Sequence, residues 1–287
     1  MLAVYKKEMH GYFTSMTGYV FIGLFVLIAA IFYADINILG ASPYFDSVLY
    51  QLTLVLVFLV PALTVRLLSD ERRHKTDQLL YTVPVKIHKI VLAKYFAALT
   101  VYAMALLITV SFPLMMMPFG EIGTGKMISA YFGIMLLGSL FIAVGMFVSG
   151  LTDNQMVAAL GTFAALFLMY IMRAVASISP IDRTSSIVFV CGLIVALSSL
   201  LFVRTRKKSL AAVLFGALSA LAFIAFLFNN AIYDGFIIRT FNYLSVMHRF
   251  YSFYMGILTL ADVVYFITFI VAFMYLTVNS IEKRRWS

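Results

Sequence analysis

Residues 66–94 read Arg-Leu-Leu-Ser-Asp-Glu-Arg-Arg-His-Lys-Thr-Asp-Gln-Leu-Leu-Tyr-Thr-Val-Pro-Val-Lys-Ile-His-Lys-Ile-Val-Leu-Ala-Lys, and the rest of the chain is arranged around them. This is the only long charged passage between two hydrophobic segments. It holds seven of the 21 Lys and Arg residues and three of the 12 Asp and Glu residues. Ser69 can cap a helical turn by accepting bonds from free backbone N–H groups, with Asp70 and Glu71 suited to the positive end of that helix. Thr76 repeats the pattern with Asp77 behind it. Leu79, Leu80 and Val83 form a small apolar face at helical spacing. Pro84 lacks the N–H that would continue the helix, so it should stop near Val83. A second amphipathic run follows, with Ile87, Ile90 and Val91 on one side and Lys86 and Lys89 on the other. The segment therefore reads as a short helix lying across a membrane face, with charges around leucines that can insert into a partner. Its plainer reading is a solvated connector whose basic residues fix topology.

Outside this passage the chain is built for lipid. Hydrophobic residues make up 63%, charged residues 11%, and the mean hydropathy is +1.02; a soluble domain has roughly 45–50% apolar and about 25% charged residues. The net charge of +9 does not indicate nucleic acid, because the basic residues sit at the ends of apolar runs, where they set orientation. Cys191 is the one cysteine, so there is no disulfide framework. The start is amphipathic and leads into a full-length apolar segment, which is unlike a cleavable signal peptide. The absence of an Asn-x-Ser/Thr acceptor fits a bacterial origin.

A hydrocarbon core about 30 Å thick needs roughly 20 apolar residues per helix. On that measure spans are expected at 19–38, 48–67, 90–117, 127–150, 155–177, 186–203, 210–229 and 261–280. The third carries Pro113 and Pro118 and should kink or end early, and the fourth and fifth are joined only by Leu151 to Gln155. Residues 1–18 read as an interfacial helix, with Leu2, Tyr5, Met9, Tyr12, Phe13 and Met16 on one face; their plainer reading is the basic flank of the first span. With the N-terminus inside, the inner segments 1–18, 67–89, 151–154, 204–209 and 281–287, with Arg66 and Lys94, hold 16 of the 21 Lys and Arg residues. The fold class is thus an all-α polytopic membrane protein of about eight spans, with both termini in the cytoplasm. The stretch 233–258, rich in aromatic rings that favour headgroup depth, should lie at the outer interface as an anchoring belt or a lid. Phe250, Phe253, Tyr254 and Gly256 are its candidate gate residues.

Few other signals point to chemistry. Gly120 to Lys126 matches the first seven positions of a phosphate-binding loop, but Met127 stands where Ser or Thr should hold magnesium, and the loop joins two apolar segments. The four histidines are scattered without metal-ligand spacing. Asp35, Arg173 and Asp262 fall near the ends of spans, where they can snorkel, and this argues against an ion-coupled pathway at mid-membrane. Gly138 and Gly145 share a helix face with Ser139 and Ala143, as close helix packing or a dimer contact would require.

Three passages resemble permease subunits of the ABC-2 type, and within them the gliding-motility-associated group. The first is Tyr5-Lys6-Lys7-Glu8 with Tyr12-Phe13-Thr14-Ser15 and Gly18-Tyr19. The second is Pro61 to Arg66, Asp70 to Arg73, Lys75 to Val85 and Lys94. The third is Phe253, Gly256 to Leu258 and Asp262 to Tyr265. The likeness covers the first 160 residues well and the last 40 moderately. Residues 180–230 depart from the six-span pattern of the family as an added hairpin, with Arg204 to Lys208 as its turn.

The resemblance implies a membrane subunit of an ATP-driven exporter, not itself catalytic, with ATP and magnesium held by a separate ATPase present in two copies. Asp70, Glu71, Arg72, Arg73, Thr76, Asp77, Gln78, Leu79 and Leu80 would contact that ATPase. A second permease copy or paralogue completes the path, and an extracytoplasmic accessory subunit can join it in the bacterial cytoplasmic membrane. The alternatives are an ion-coupled secondary transporter, which would work without ATP while a gradient remains, and a non-transporting scaffold that recruits a cytoplasmic complex through the same loop.

Overall fold

The computed structural model describes residues 1–73, 86–116, 123–205, 209, 212–220 and 233–285. Every regular element among the described residues is helical, the form in which each backbone N–H and C=O can be satisfied within one segment in lipid. Six helices there are long and apolar enough to cross a membrane: Thr17–Leu39, Asp46–Arg73, Ile87–Met116, Thr124–Ser149, Gln155–Ile178 and Leu260–Lys283. They coincide with six of the eight expected spans. The expected span at 186–203 lies within the helix Arg183–Thr205. The expected span at 210–229 falls largely outside the described residues.

The chain divides into two compact units. The larger comprises Met1–Tyr170 and Arg249–Ser287. It begins with α1 (Leu2–Thr14) and α2 (Thr17–Tyr33), the latter running on into a π-helical turn at Ala34–Leu39. Next come α3 (Asp46–Thr64), the short α4 (Ser69–Arg73), α5 (Ile87–Thr109), α6 (Ser111–Met116) and α7 (Thr124–Ser149). At the centre is α7, with 72% of its most apolar window buried. It packs against α3 and against α12 (Leu260–Arg285), while α2 leans on α3 and α5, and α1 on α5.

Small residues on α7 permit these close approaches. A Cβ on Gly138 would lie 2.3 Å from the Tyr102 ring, one on Gly145 2.3 Å from the Thr64 hydroxyl, and one on Gly133 2.5 Å from Phe253. The glycines noted in the sequence are therefore packing sites within the chain. The expected weakening of the third span also occurs: α5 ends at Thr109, and Pro113 lies in the separate turn α6.

Two sequence readings are corrected here. Ser69 does not cap α4 by accepting backbone bonds. The chain stays coiled after Pro61, and the Ser69 hydroxyl donates back to the Val65 carbonyl one turn earlier. Asp262 does not snorkel to solvent. It is 3% exposed, 2.8 Å from the Arg249 guanidinium, and bonded to Thr259. Arg249 also lies over the Tyr265 ring, so burial of the carboxylate is offset by a cation held in place by an aromatic face.

The smaller unit, Ile171–His248, contains α9 (Arg183–Thr205), a helical stretch over 212–220 and α10 (Phe236–Leu244). Within it Arg183 makes a two-bonded contact with Asp234, at 2.9 and 3.0 Å. The Gly235 N–H adds a bond to the Ile181 carbonyl at 3.0 Å, and Gly235 has the positive φ of +69° that suits glycine at this turn. Two further helices are described: α8 (Gln155–Ile178), which follows α7, and α11 (Val246–Tyr254), which follows α10.

Candidate functional site

Glu71, early in the charged passage after α3, belongs to a network centred on a buried lysine. Lys94, on the first turns of α5, is 1% exposed. Its ammonium lies 2.8 Å from Glu8 of α1 and 2.9 Å from Glu71 of α4, and it donates to the Leu67 carbonyl at 2.9 Å. Lys7 reaches Glu71 from the exposed side at 3.2 Å. One buried lysine thus joins the N-terminal helix, the start of the 66–94 passage and the third span. A buried ammonium is tolerable only when its donors are used in this way.

The docking of α1 brings Glu8 to that position. Val4, Tyr5, Glu8, Met9 and Tyr12 share the side of α1 turned toward the protein, and Tyr12 is buried. The Tyr12 hydroxyl donates to the Leu63 carbonyl at 3.1 Å, and Tyr5 meets Thr100 at 3.0 Å. Burial, and secondarily the Glu8 carboxylate, hold the Tyr12 phenol above its ordinary range, so it remains a donor. The sequence placed Leu2 and Met16 on the same face, but both are exposed.

The turn between α7 and α8 supplies the other half of the site. The Ser149 hydroxyl accepts from the backbone N–H groups of Leu68 and Ser69, at 3.3 and 3.1 Å, and donates to the Val65 carbonyl at 2.9 Å. It therefore does from another helix what Ser69 was expected to do for its own. Gln155 donates its side-chain amide to Asp70, and Arg72, 7% exposed, lies 4.0 Å from Asp153. Asn154 accepts from the Met156 N–H at 2.9 Å and so starts α8.

Of the expected partner-contacting residues, Asp70, Glu71 and Arg72 therefore engage their own chain, while Arg73 is exposed. Thr76, Asp77, Gln78, Leu79 and Leu80 lie outside the described residues. The sequence did not single out Ser149, Asp153 and Gln155. The signal available was that their turn falls on the same expected side of the membrane as the 66–94 passage.

The expected gate residues sit in a different place. Phe250 and Phe253 are fully buried. Phe253 packs between Gly133, Phe132 and Phe266, and Phe250 stacks on Tyr50. Tyr254 meets Tyr50 and lies 3.5 Å from the Ser47 hydroxyl. Gly256 has φ +82°, and a Cβ there would come within 2.9 Å of Lys126. That lysine, from the loop resembling a phosphate cradle, stands in the first turn of α7 over the Tyr44 ring.

These features define a multi-pass helical membrane protein in which a charged segment beyond one span is fastened to an N-terminal helix and to the next turn. The family described as ABC-2 family transporter protein matches residues 7–172, more than half of the chain, and the chain belongs to that family. Its members are permeases, the membrane transport component of ABC exporters that work with an ABC ATPase, and are not themselves catalytic. No curated protein matches the chain significantly.

Proposed function

We propose that this permease is driven by a separate ATPase that docks on the 66–94 passage, and that it belongs with the gliding-motility-associated group. Arg73 and the segment Thr76, Asp77, Gln78, Leu79 and Leu80 contact the ATPase, with the leucines seated in a cleft. Asp70, Glu71 and Arg72 anchor the permease side of the joint. Exposed charge pairs are worth little individually, so Leu79 and Leu80 carry most of the contact. ATP and magnesium are bound by two ATPase copies. A second permease, identical or related, completes the path in a bacterial cytoplasmic membrane with both termini inside, and an extracytoplasmic subunit can join it.

In this reading 1–18 is the interfacial helix, 67–89 the coupling loop, 180–230 an added hairpin and 233–258 an outer interfacial segment whose Phe250, Phe253, Tyr254 and Gly256 set the outer gate. One observation carries the coupling step. Glu71, where the passage begins, shares the Lys94 ammonium with Glu8, so a push on the loop is felt at once by α1 and the third span.

The test is isolation of the protein from its native membrane in mild detergent. A stoichiometric ATPase that is lost in Leu79→Asp and Leu80→Asp, while the variants insert normally, supports the reading. A preparation that never carries an ATPase sinks it and favours an ion-coupled transporter.

A further inference from the structure

Three polar contacts reach from the 66–94 passage to the turn that joins α7 and α8. Ser149, the last residue of α7, holds the backbone N–H groups of Leu68 and Ser69. Gln155, the first residue of α8, donates its side-chain amide to Asp70. Between them Asp153 lies 4.0 Å from Arg72. Only residues 150–154 separate the two helices, so the passage grips both ends of one short connection. The Lys94 network has no part in these three contacts.

What this grip can do differs between the two helices. For α7, 72% of the most apolar window is buried within the chain, and for α8 only 17%. The first half of α8 does lie against its neighbours. Phe163 meets Phe58 of α3 with ring centres 5.1 Å apart, and a Cβ on Gly161 would come 3.1 Å from the Val148 side chain. In lipid, however, an apolar flank gains little by staying on a neighbour, since acyl chains are as apolar as leucine. Such contacts resist overlap and do little against sliding or lifting away. The bond from Gln155 to Asp70 is directional, charge-assisted and part-buried, so it resists displacement in either sense.

We propose that Gln155 is a positioning residue for the transport step: through Asp70 it hands displacement of the 66–94 passage to α8. This rests on the reading that a separate ATPase pushes on the passage. The push then enters the permease by two routes, through Lys94 to α1 and α5 and through Gln155 to α8, and the second can be cut without touching the first. Burial decides which helix responds at the turn. Ser149 keeps the passage in register with α7, which cannot shift without carrying α3 and α12, whereas α8 is open on most of its apolar surface and can tilt. Two substitutions separate the joint from the fold. Gln155→Glu sets a carboxylate against Asp70 yet suits the positive first turn of α8, so the helix itself is not loosened. Gln155→Lys supplies a longer donor that still reaches the Asp70 carboxylate.

The experiment has two readouts on the full chain in nanodiscs. The first is hydrogen exchange of the Arg72 amide, which bonds the Leu68 carbonyl at 3.2 Å on the passage side of the joint. Gln155→Glu should speed its exchange roughly tenfold, the effect of losing one charge-assisted bond, and Gln155→Lys should leave it at the wild-type rate. Unchanged exchange in Gln155→Glu would overturn the proposal without any ATPase present. The second readout takes the complex with its ATPase, in a Cys191→Ser background, with spin labels at exposed positions. Leu160 of α8 or His88 of α5 is paired with Glu282 near the end of α12. Trapping of nucleotide on the ATPase should shift both distances in the wild type. In Gln155→Glu the α8 shift should fall below half while the α5 shift persists, and Gln155→Lys should keep both. An α8 shift of wild-type size in Gln155→Glu would overturn the proposal alone. A wild-type complex in which neither distance shifts would instead sink the ATPase reading on which it rests.

Discussion

Lys94 Nζ and Glu71 Oε1 lie 2.9 Å apart with the lysine side chain 1% exposed, and the same ammonium meets Glu8 at 2.8 Å. Breaking a buried pair from one side leaves desolvated charge behind, which costs about 3–5 kcal/mol. Lys94→Met is therefore expected to lower the unfolding temperature of the detergent-solubilised protein sharply. Adding Glu8→Gln and Glu71→Gln should recover much of the loss, since no carboxylate is then stranded. A Lys94→Met protein as stable as the wild type would contradict the burial argument.

The glycines of α7 and α2 should respond in opposite directions. Gly138→Ala places a Cβ 2.3 Å from Tyr102. That tyrosine is buried and hydrogen-bonded to the Ile134 carbonyl at 2.6 Å, so it cannot yield easily. Overpacking of this kind costs roughly 1–3 kcal/mol. Gly23→Ala, with open space around it, should instead stabilise α2 by about 0.5–1 kcal/mol through helix propensity. Thermal unfolding of the two variants in one detergent gives the comparison, and a shift of the same sign in both would reject it.

The residues that the sequence made legible and those it did not differ in kind. Apolar length placed six spans, and the short turn at 151–155 emerged from its polarity alone, because both signals are local. The roles of Lys94 and Glu8 were hidden because an ion pair depends on which helices become neighbours, which hydropathy does not encode. Ser69 was misread for a related reason: a serine caps when the chain arrives extended and bonds backward when it arrives coiled, and here the helical turn persists from Pro61 through Ser69. Asp262 sits near the end of its helix, as the sequence indicated, but hydropathy could not supply Arg249 as its partner.

Acid should loosen the contact of Arg183 with Asp234. The hydrogen bond from Arg183 foremost, with the charges of Arg183 and Arg239, holds the Asp234 carboxyl below its ordinary range. A carboxyl depressed in the folded state adds stability above its unfolded pKa, about 3.9, and loses it as pH falls through the lower folded value. The amide of Gly235, bonded to Ile181 at 3.0 Å, should lose protection against hydrogen exchange below about pH 4 after correction for intrinsic rates. In Asp234→Asn that amide should be weakly protected at every pH. Protection that stays constant in the wild type down to pH 2 would show that the pair does not hold this turn.

Ser149 offers a test of how the charged passage is fixed to the membrane body. Its one hydroxyl accepts from Leu68 and Ser69 and donates to Val65, and Leu68, Ser69 and Ser149 are all buried. Ser149→Ala therefore leaves two buried N–H groups without that acceptor, at about 1–3 kcal/mol for each group left unsatisfied. Ser149→Thr keeps the oxygen and should cost less. The defect should also be local: proteolysis within 66–94 should speed up in Ser149→Ala while cleavage after α12 stays at the wild-type rate. Equal proteolysis of Ser149→Ala and wild type within 66–94 would mean that the Lys94 network alone fixes the passage.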